Sequence, residues 1–307
     1  VSEDTKRTQL LRTADSAAGV STYRGRRDVR LSDTKPSWDL SALYEVTPEL
    51  NVYVRAAEGF RGPTIQGRSA VFNSPFTTAN SETITSWEVG SKGLFLDGRL
   101  RVNSSLFTYV VNDIQLNGND VNGNGVLFNA DKAKAYGLEA DLDWRPIDKL
   151  SLSAQIGLMQ SEYKSPSAGV KSQQALCRAK PGAANPACGA GIVNLVGALS
   201  EPSQSPNMTL SGSATYDFDL NGFTLSPTLS VQWLDKQNVS TASLPAGAEP
   251  ARTVLDFGVV LTPNNQPWNV SVECKNCTME DWGTTYLFGY KYYNTPGTWA
   301  VRAHYRF

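Results

Sequence analysis

The side chains best suited to covalent or metal chemistry in this sequence are two cysteine pairs and a single histidine. Cys274-Lys275-Asn276-Cys277 has the C-x-x-C spacing used for disulfide exchange at a helix N-terminus, or for zinc when a second such pair completes four ligands. Neither accompaniment is visible, so a structural or incidental role is expected over redox chemistry. Cys177 and Cys188 enclose a short segment rich in Gly, Pro and Ala. No apolar stripe would order that segment, so a disulfide between the two is the expected restraint. Paired cysteines suit an oxidising compartment. A hydrolytic site would need a nucleophile or an activated water beside a base, most often His. His304 sits at an alternating polar position near the carboxyl end and reads as a water-facing filler. The expectation is that there is no catalytic residue, no cofactor and no bound metal, and that the protein is not an enzyme.

These groups are carried by strands. In the closing run, Trp299, Val301, Ala303, Tyr305 and Phe307 fall on one face and Ala300, Arg302, His304 and Arg306 on the other. An apolar face backed by a charged one suits a strand with lipid outside and water inside. The same alternation recurs. Trp38, Leu40, Ala42, Tyr44 and Val46 oppose Asp39, Ser41, Leu43 and Glu45. Leu100, Val102, Ser104 and Leu106 oppose Arg99, Arg101, Asn103 and Ser105. Tyr136, Leu138, Ala140, Leu142 and Trp144 oppose Gly137, Glu139, Asp141, Asp143 and Arg145. The acids Glu139, Asp141 and Asp143 read as solvated charges of an aqueous lumen, paired with Arg99 or Arg101 of the neighbouring strand.

Composition narrows the class. The chain has 307 residues, 40% of them hydrophobic, and a formal net charge of −1. Its mean hydropathy is −0.31. No run approaches the ~18 consecutive apolar residues of a membrane helix. A transmembrane barrel escapes that test because only alternate residues face lipid. With no basic block, nothing points to nucleic acid. The chain starts at Val1 without an initiator Met or a signal peptide, so a mature or truncated product is expected.

Two kinds of connection alternate along the chain. Short turns are expected near 47–49, 96–98, 146–148, 221–222 and 263–267. Long loops are expected near 61–82, 115–127, 163–203, 235–250 and 275–297. Short turns on one side and long loops on the other are what outer-membrane barrels show. Tyr44, Trp144, Tyr216, Phe218, Phe223 and Trp268 gather beside the short turns, as an interfacial girdle would. About eleven full strands are countable, with a possible half strand over Val1 to Arg7. The fold class is therefore all-β, an antiparallel transmembrane β-barrel. A soluble sandwich with large loops is the competing reading, and strands this long disfavour it.

Asn51-Val52-Tyr53-Val54-Arg55-Ala56-Ala57-Glu58-Gly59-Phe60-Arg61-Gly62-Pro63, the strand from Glu82 to Lys92, Asn129 through Ala140, and the end from Val270 to Phe307 form a recognisable set. Together these stretches resemble TonB-dependent outer-membrane receptors of Gram-negative bacteria. The resemblance implies that residues 1–307 are the C-terminal portion of the barrel, roughly the last 11–12 strands of about 22. It also implies that the N-terminal plug domain and the early strands lie outside the chain. The implied function is active uptake of a scarce nutrient across the outer membrane, most commonly an iron–siderophore complex, with cobalamin and saccharides as other ligand classes. The implied partners are the missing plug and barrel half, the energy-transducing TonB protein, outer-membrane lipid and the small-molecule ligand. The alternative is a passive 12-stranded pore or adhesin. Ligand-facing loop candidates are Arg61, Gln66, Arg68 and Phe72, which follow a strand running outward, and Trp282 and Tyr286, in the aromatic-rich last loop. Ordinary loop packing is the alternative for both sets.

Overall fold

The structure is a computed structural model that describes residues 2–9, 15–16, 19–20, 28–67, 76–119, 125–164, 168–179, 188, 193–194, 196–240, 244–287 and 289–306. Alternation sets its architecture. The long elements are β1 (Ser2–Gln9), β2 (Asp28–Lys35), β3 (Trp38–Thr47), β4 (Leu50–Arg61), β5 (Glu82–Phe95), β6 (Leu100–Asn112), β7 (Lys132–Ile147) and β8 (Leu150–Lys164). Helix α1 (Ala168–Ala179) follows, then β9 (Met208–Tyr216), β10 (Phe223–Leu234), β11 (Arg252–Pro263), β12 (Trp268–Lys275) and β13 (Thr298–Tyr305). One 12-stranded sheet runs from β3 to β13 with every strand beside its sequence neighbours, and the short Phe218–Leu220 strand pairs with β10. All its ladders are antiparallel. A meander of this kind is what short hairpin turns between long strands produce.

β1 is a complete strand. It pairs with β2 from Ser2↔Lys35 to Gln9↔Asp28. Sequence reading passed over β2 because only Val29 and Leu31 mark its apolar face. Pro36 and Ser37 separate β2 from β3.

The register fixes the two faces of the wall. Val54 pairs with Val89, Val89 with Leu106, Leu106 with Leu138, and Leu138 with Leu158. Val259, Val272 and Val301 form the same kind of row at the other end. These side chains have no protein layer over them: Val54 is 54% exposed, Leu106 55% and Val301 73%. A continuous apolar belt of this extent is stable against lipid and unstable against water. The opposite face is polar row by row. Asn103 pairs with Asp141, Asp141 with Gln155, Gln155 with Ser211, and Ser211 with Gln232. Asn103 Nδ2 donates to Asp141 Oδ2 at 2.9 Å, and Arg101 forms an ion pair with Asp143. Arg99 instead reaches Asp148 in the next turn, at 3.2 Å.

The short turns lie where the punctuation residues put them. Leu96, Asp97 and Gly98 all have positive φ, and Arg99 N–H closes the turn on Leu96 O at 3.0 Å. Gly222, at φ 84°, serves the Asn221-Gly222 turn. A register shift between Trp144 and Ile147 accompanies Pro146, which has no N–H for the ladder. Aromatics line this end: Tyr216 packs on Phe218 at 4.6 Å and Phe223 on Trp268 at 6.3 Å between ring centres.

The long connections at the other end contain more order than the sequence suggests. They hold hairpins Thr64–Gln66/Thr77–Ala79, Gln115–Asn119/Gly125–Asn129 and Gly283–Leu287/Tyr290–Tyr293. The expectation of a bare loop over 163–203 is corrected by α1. Its Ala, Lys, Gln, Leu and Arg are good helix formers. Val170 and Cys177, seven residues apart, share one face and are fully buried. They join Ala130, Cys188 and Val193 in a small core, packed against Ile114, Leu116, Phe128, Tyr163 and Leu199. Among the described residues no helix is long and apolar enough to cross a membrane, which leaves strand crossings untouched.

Candidate functional site

Two clusters of loop residues stand at the rim bearing the long connections. In the first, Gln115 is a buried junction. Its Nε2 donates to Gly62 O at 2.8 Å and to Asn80 O at 3.0 Å, and its Oε1 accepts from the Thr64 hydroxyl at 2.6 Å. Its backbone N–H donates to Glu82 Oε2. Glu82 also faces Arg61, with Nη1 3.5 Å from Oε1. Asn129 continues the junction by accepting from Asn80 N–H at 2.7 Å and donating to Asn80 O at 3.0 Å. The connection between β4 and β5 and the one between β6 and β7 are thereby held together through one amide side chain. Gln115→Leu is expected to strand the Gly62, Asn80 and Thr64 groups, each worth about 1–3 kcal/mol if left unsatisfied. Hydrogen exchange over residues 62–66 and 77–80 should rise while exchange in β6 and β7 stays unchanged.

Of the sequence-selected residues here, Arg61 keeps a half-exposed guanidinium beside Glu82. Gln66 Nε2 donates to Gly125 O at 2.9 Å. Arg68 and Phe72 lie outside the described residues.

The second cluster surrounds Trp282. The Arg252 guanidinium carbon lies 4.7 Å from the Trp282 ring centre, a cation–π contact. Asn294 fixes Trp282 from the other strand of the loop: Trp282 N–H donates to Asn294 Oδ1 at 2.9 Å and Asn294 N–H to Trp282 O at 3.0 Å. Tyr286 is held through its backbone N–H, which donates to Val239 O at 3.2 Å. Tyr290 and Tyr293 are well exposed on the same hairpin. Beneath it, Glu249 is buried, accepts from Gly283 N–H at 2.8 Å, and pairs with Lys291 Nζ at 2.6 Å.

The hydrogen bond to Glu249 raises the pKa of Lys291. A raised folded-state value contributes stability below the unfolded value of about 10.4 and loses it as pH rises through the folded value. Protection of the Gly283–Tyr293 hairpin is therefore expected to hold from neutral pH to about 10 and to fall above that. The fall should be absent in Lys291→Met. Limited proteolysis across that pH range, with an alkali-tolerant protease, measures it.

No hydrogen bond, ion pair or ring contact joins Arg61 or Gln66 to Trp282 or Tyr286 among the described residues, so the two candidate sets form separate clusters. Sequence reading missed Gln115, Arg252, Glu249 and Lys291. It did place Cys177 and Cys188 together: they form a disulfide with Cα atoms 5.5 Å apart, and Cys177 lies on α1. Cys274 and Cys277 form a second disulfide. Among the described residues no group of three His, Cys, Asp or Glu side chains is placed to hold a metal ion.

The wall geometry has close counterparts. Over 90% of its length the chain superposes on the ferric yersiniabactin uptake receptor FyuA from Yersinia pestis, with TM-score 0.66, 17% identity and 37% of that chain covered. The ferric preacinetobactin receptor BauA from Acinetobacter baumannii gives TM-score 0.63 and 15% identity, covering 90% of this chain and 36% of that one. The FrpB iron transporter from Neisseria meningitidis gives 0.65 and 14%, covering 91% and 40%. The chain thus spans about two fifths or less of the length of these structures. Residues 9–277 match the family model described as TonB dependent receptor-like, beta-barrel. That family consists of Gram-negative outer-membrane transporters rather than enzymes. With the match running over most of the strands, the chain belongs to the TonB-dependent receptor family, as part of its β-barrel.

Proposed function

We propose that this chain forms part of the wall and outer mouth of an active importer for a scarce nutrient, with an iron–siderophore complex as the ligand class. The carrying observation is the family match over residues 9–277. A polar inner face and an outer rim bearing cations and aromatics support it. In this reading a plug domain encoded outside the chain closes the lumen. TonB draws on that plug at the expense of the inner-membrane proton gradient. The work of the chain is binding and gating, with no bond made or broken. Arg61, Gln66, Arg68 and Phe72 at one part of the rim, and Trp282 and Tyr286 at another, are the proposed ligand-facing residues.

The test is uptake of radiolabelled iron, supplied as a panel of ferric siderophores, by iron-starved cells with and without the gene. Uptake of at least one complex should require both the gene and TonB. Uptake that persists without TonB would favour the passive pore. A growth defect relieved only by cobalamin or a saccharide would move the ligand class and leave the importer reading in place.

A further inference from the structure

Arg252 carries an unmet hydrogen-bonding demand. Its Nη1 is buried without an acceptor among the described residues. Its guanidinium carbon lies over the Trp282 ring, 4.7 Å from the ring centre. Glu249 and Glu280 are the acids near enough to act on it electrostatically. Glu249 accepts from Gly283 N–H through Oε2 and forms an ion pair with Lys291, its Oε1 is buried without a hydrogen-bond donor, and neither acid forms an ion pair with Arg252 among the described residues. A guanidinium N–H buried without an acceptor is unfavourable, so a group outside the described residues is expected to complete it.

Space for that group lies beside it. A cavity of about 430 Å³ opens against β8 to β11 and is bounded by Trp282. Register places Thr209, Ser211, Gln232 and Gln155 on the polar face there, and Leu234 and Val254 beside them. Ser211 Oγ donates to Gln155 Oε1 at 3.3 Å. Arg252 is the only charged residue in the described lining. The site is therefore a single fixed cation in a neutral, hydrogen-bonding wall, with an indole over it.

We propose that this cavity binds a small ligand through a planar carboxylate, received by Arg252 beneath Trp282 and supported by the hydroxyl and amide groups of β9 and β10. The inference rests on the importer reading and narrows it to carboxylate-bearing ligands. A guanidinium presents its N–H groups as a planar fork. Two carboxylate oxygens match that fork in one plane. With Glu249 and Glu280 close to Arg252, a dianion such as phosphate is repelled more strongly than a single carboxylate. The volume falls in the range of small-ligand sites.

The experiment uses the complete receptor, expressed from its natural gene and purified in detergent. Trp fluorescence is titrated with citrate, with ferric citrate and with inorganic phosphate. Saturable quenching by citrate or its ferric complex is expected, with phosphate at least about tenfold weaker. The two citrate arms separate a free carboxylate from a metal complex of one. Arg252→Gln should weaken the citrate response by about tenfold or more, and Arg252→Lys by less, because an ammonium keeps the charge and loses the fork. Equal thermal midpoints for the three proteins establish that each is folded. Unchanged citrate binding in Arg252→Gln, absence of saturable binding by both citrate forms, or equal response to phosphate would each overturn the proposal. TonB-dependent uptake of a ferric trihydroxamate that is indifferent to Arg252, alongside failed citrate arms, would remove the carboxylate inference and leave the importer reading standing. If no ferric complex, cobalamin or saccharide is taken up in a TonB-dependent way, the importer reading falls, while the fluorescence titration still decides whether Arg252 receives a carboxylate.

Discussion

Ile156→Arg is expected to destabilise the folded receptor in a bilayer by about 2–4 kcal/mol. Ile156 pairs with Ala140 on one side and Leu210 on the other, well inside β7, β8 and β9. It belongs to the apolar face, so the guanidinium would enter hydrocarbon near mid-depth. The depth dependence is the sharper part of the prediction. Leu152 lies on the same face, two residues from the start of β8, where the penalty for Arg falls to about 0–1 kcal/mol. Asn103 lies at the height of Asp141 and Gln155 on the polar face. Asn103→Arg keeps Asp141 as its partner, as an ion pair in place of the amide hydrogen bond, and should be close to neutral. Equilibrium unfolding in lipid vesicles separates the three variants. Equal effects for Ile156→Arg and Asn103→Arg would mean that the two faces have been exchanged.

That contrast was legible in the sequence because the side-chain period of a strand is two. Slipping the register by one residue would turn every leucine of β7 and β8 into the lumen, so the apolar rows leave one choice. The turns were legible for a second local reason: Asp97-Gly98 and Asn221-Gly222 supply the positive φ a tight hairpin needs. What sequence could not supply was anything that depends on pairing across long separations. Arg252 opens β11 while Trp282 lies in the connection between β12 and β13, and neither residue type announces the other. Gln115 looks like any loop glutamine until Gly62, Thr64 and Asn80 converge on it. β2 escaped because one of its faces is nearly as polar as the other, which is how an edge element reads when little of it meets lipid or core. α1 escaped because its burial stripe is short, consisting of Val170 and Cys177 closed by partners far away in the chain.

Breaking the Cys177–Cys188 disulfide is expected to release α1 and leave the wall intact. The two cysteines are 11 residues apart, and closing a loop of that size is worth about 3 kcal/mol in the chain-entropy model. The 5.5 Å Cα separation is in the usual range for a native disulfide. Both cysteines are fully buried with Val170, Val193 and Ala130, so a reduced pair would still pack as small hydrophobes. The loss is therefore expected to be mostly the cross-link's restraint, with contact energy largely kept. Deuterium uptake by a peptide covering residues 168–179 should quicken by about a hundredfold in Cys177→Ser/Cys188→Ser, which is what about 3 kcal/mol means for a local opening equilibrium. Peptides from β8 and β9 should exchange as before, because their ladders do not pass through α1. Unchanged uptake over 168–179 would assign the ordering of α1 to its apolar cluster instead. Val170→Ala, with the disulfide kept, is the complementary variant: it leaves the loop closed and removes two methyl groups from the cluster. If the cross-link dominates, that variant should quicken exchange far less than the double serine variant does.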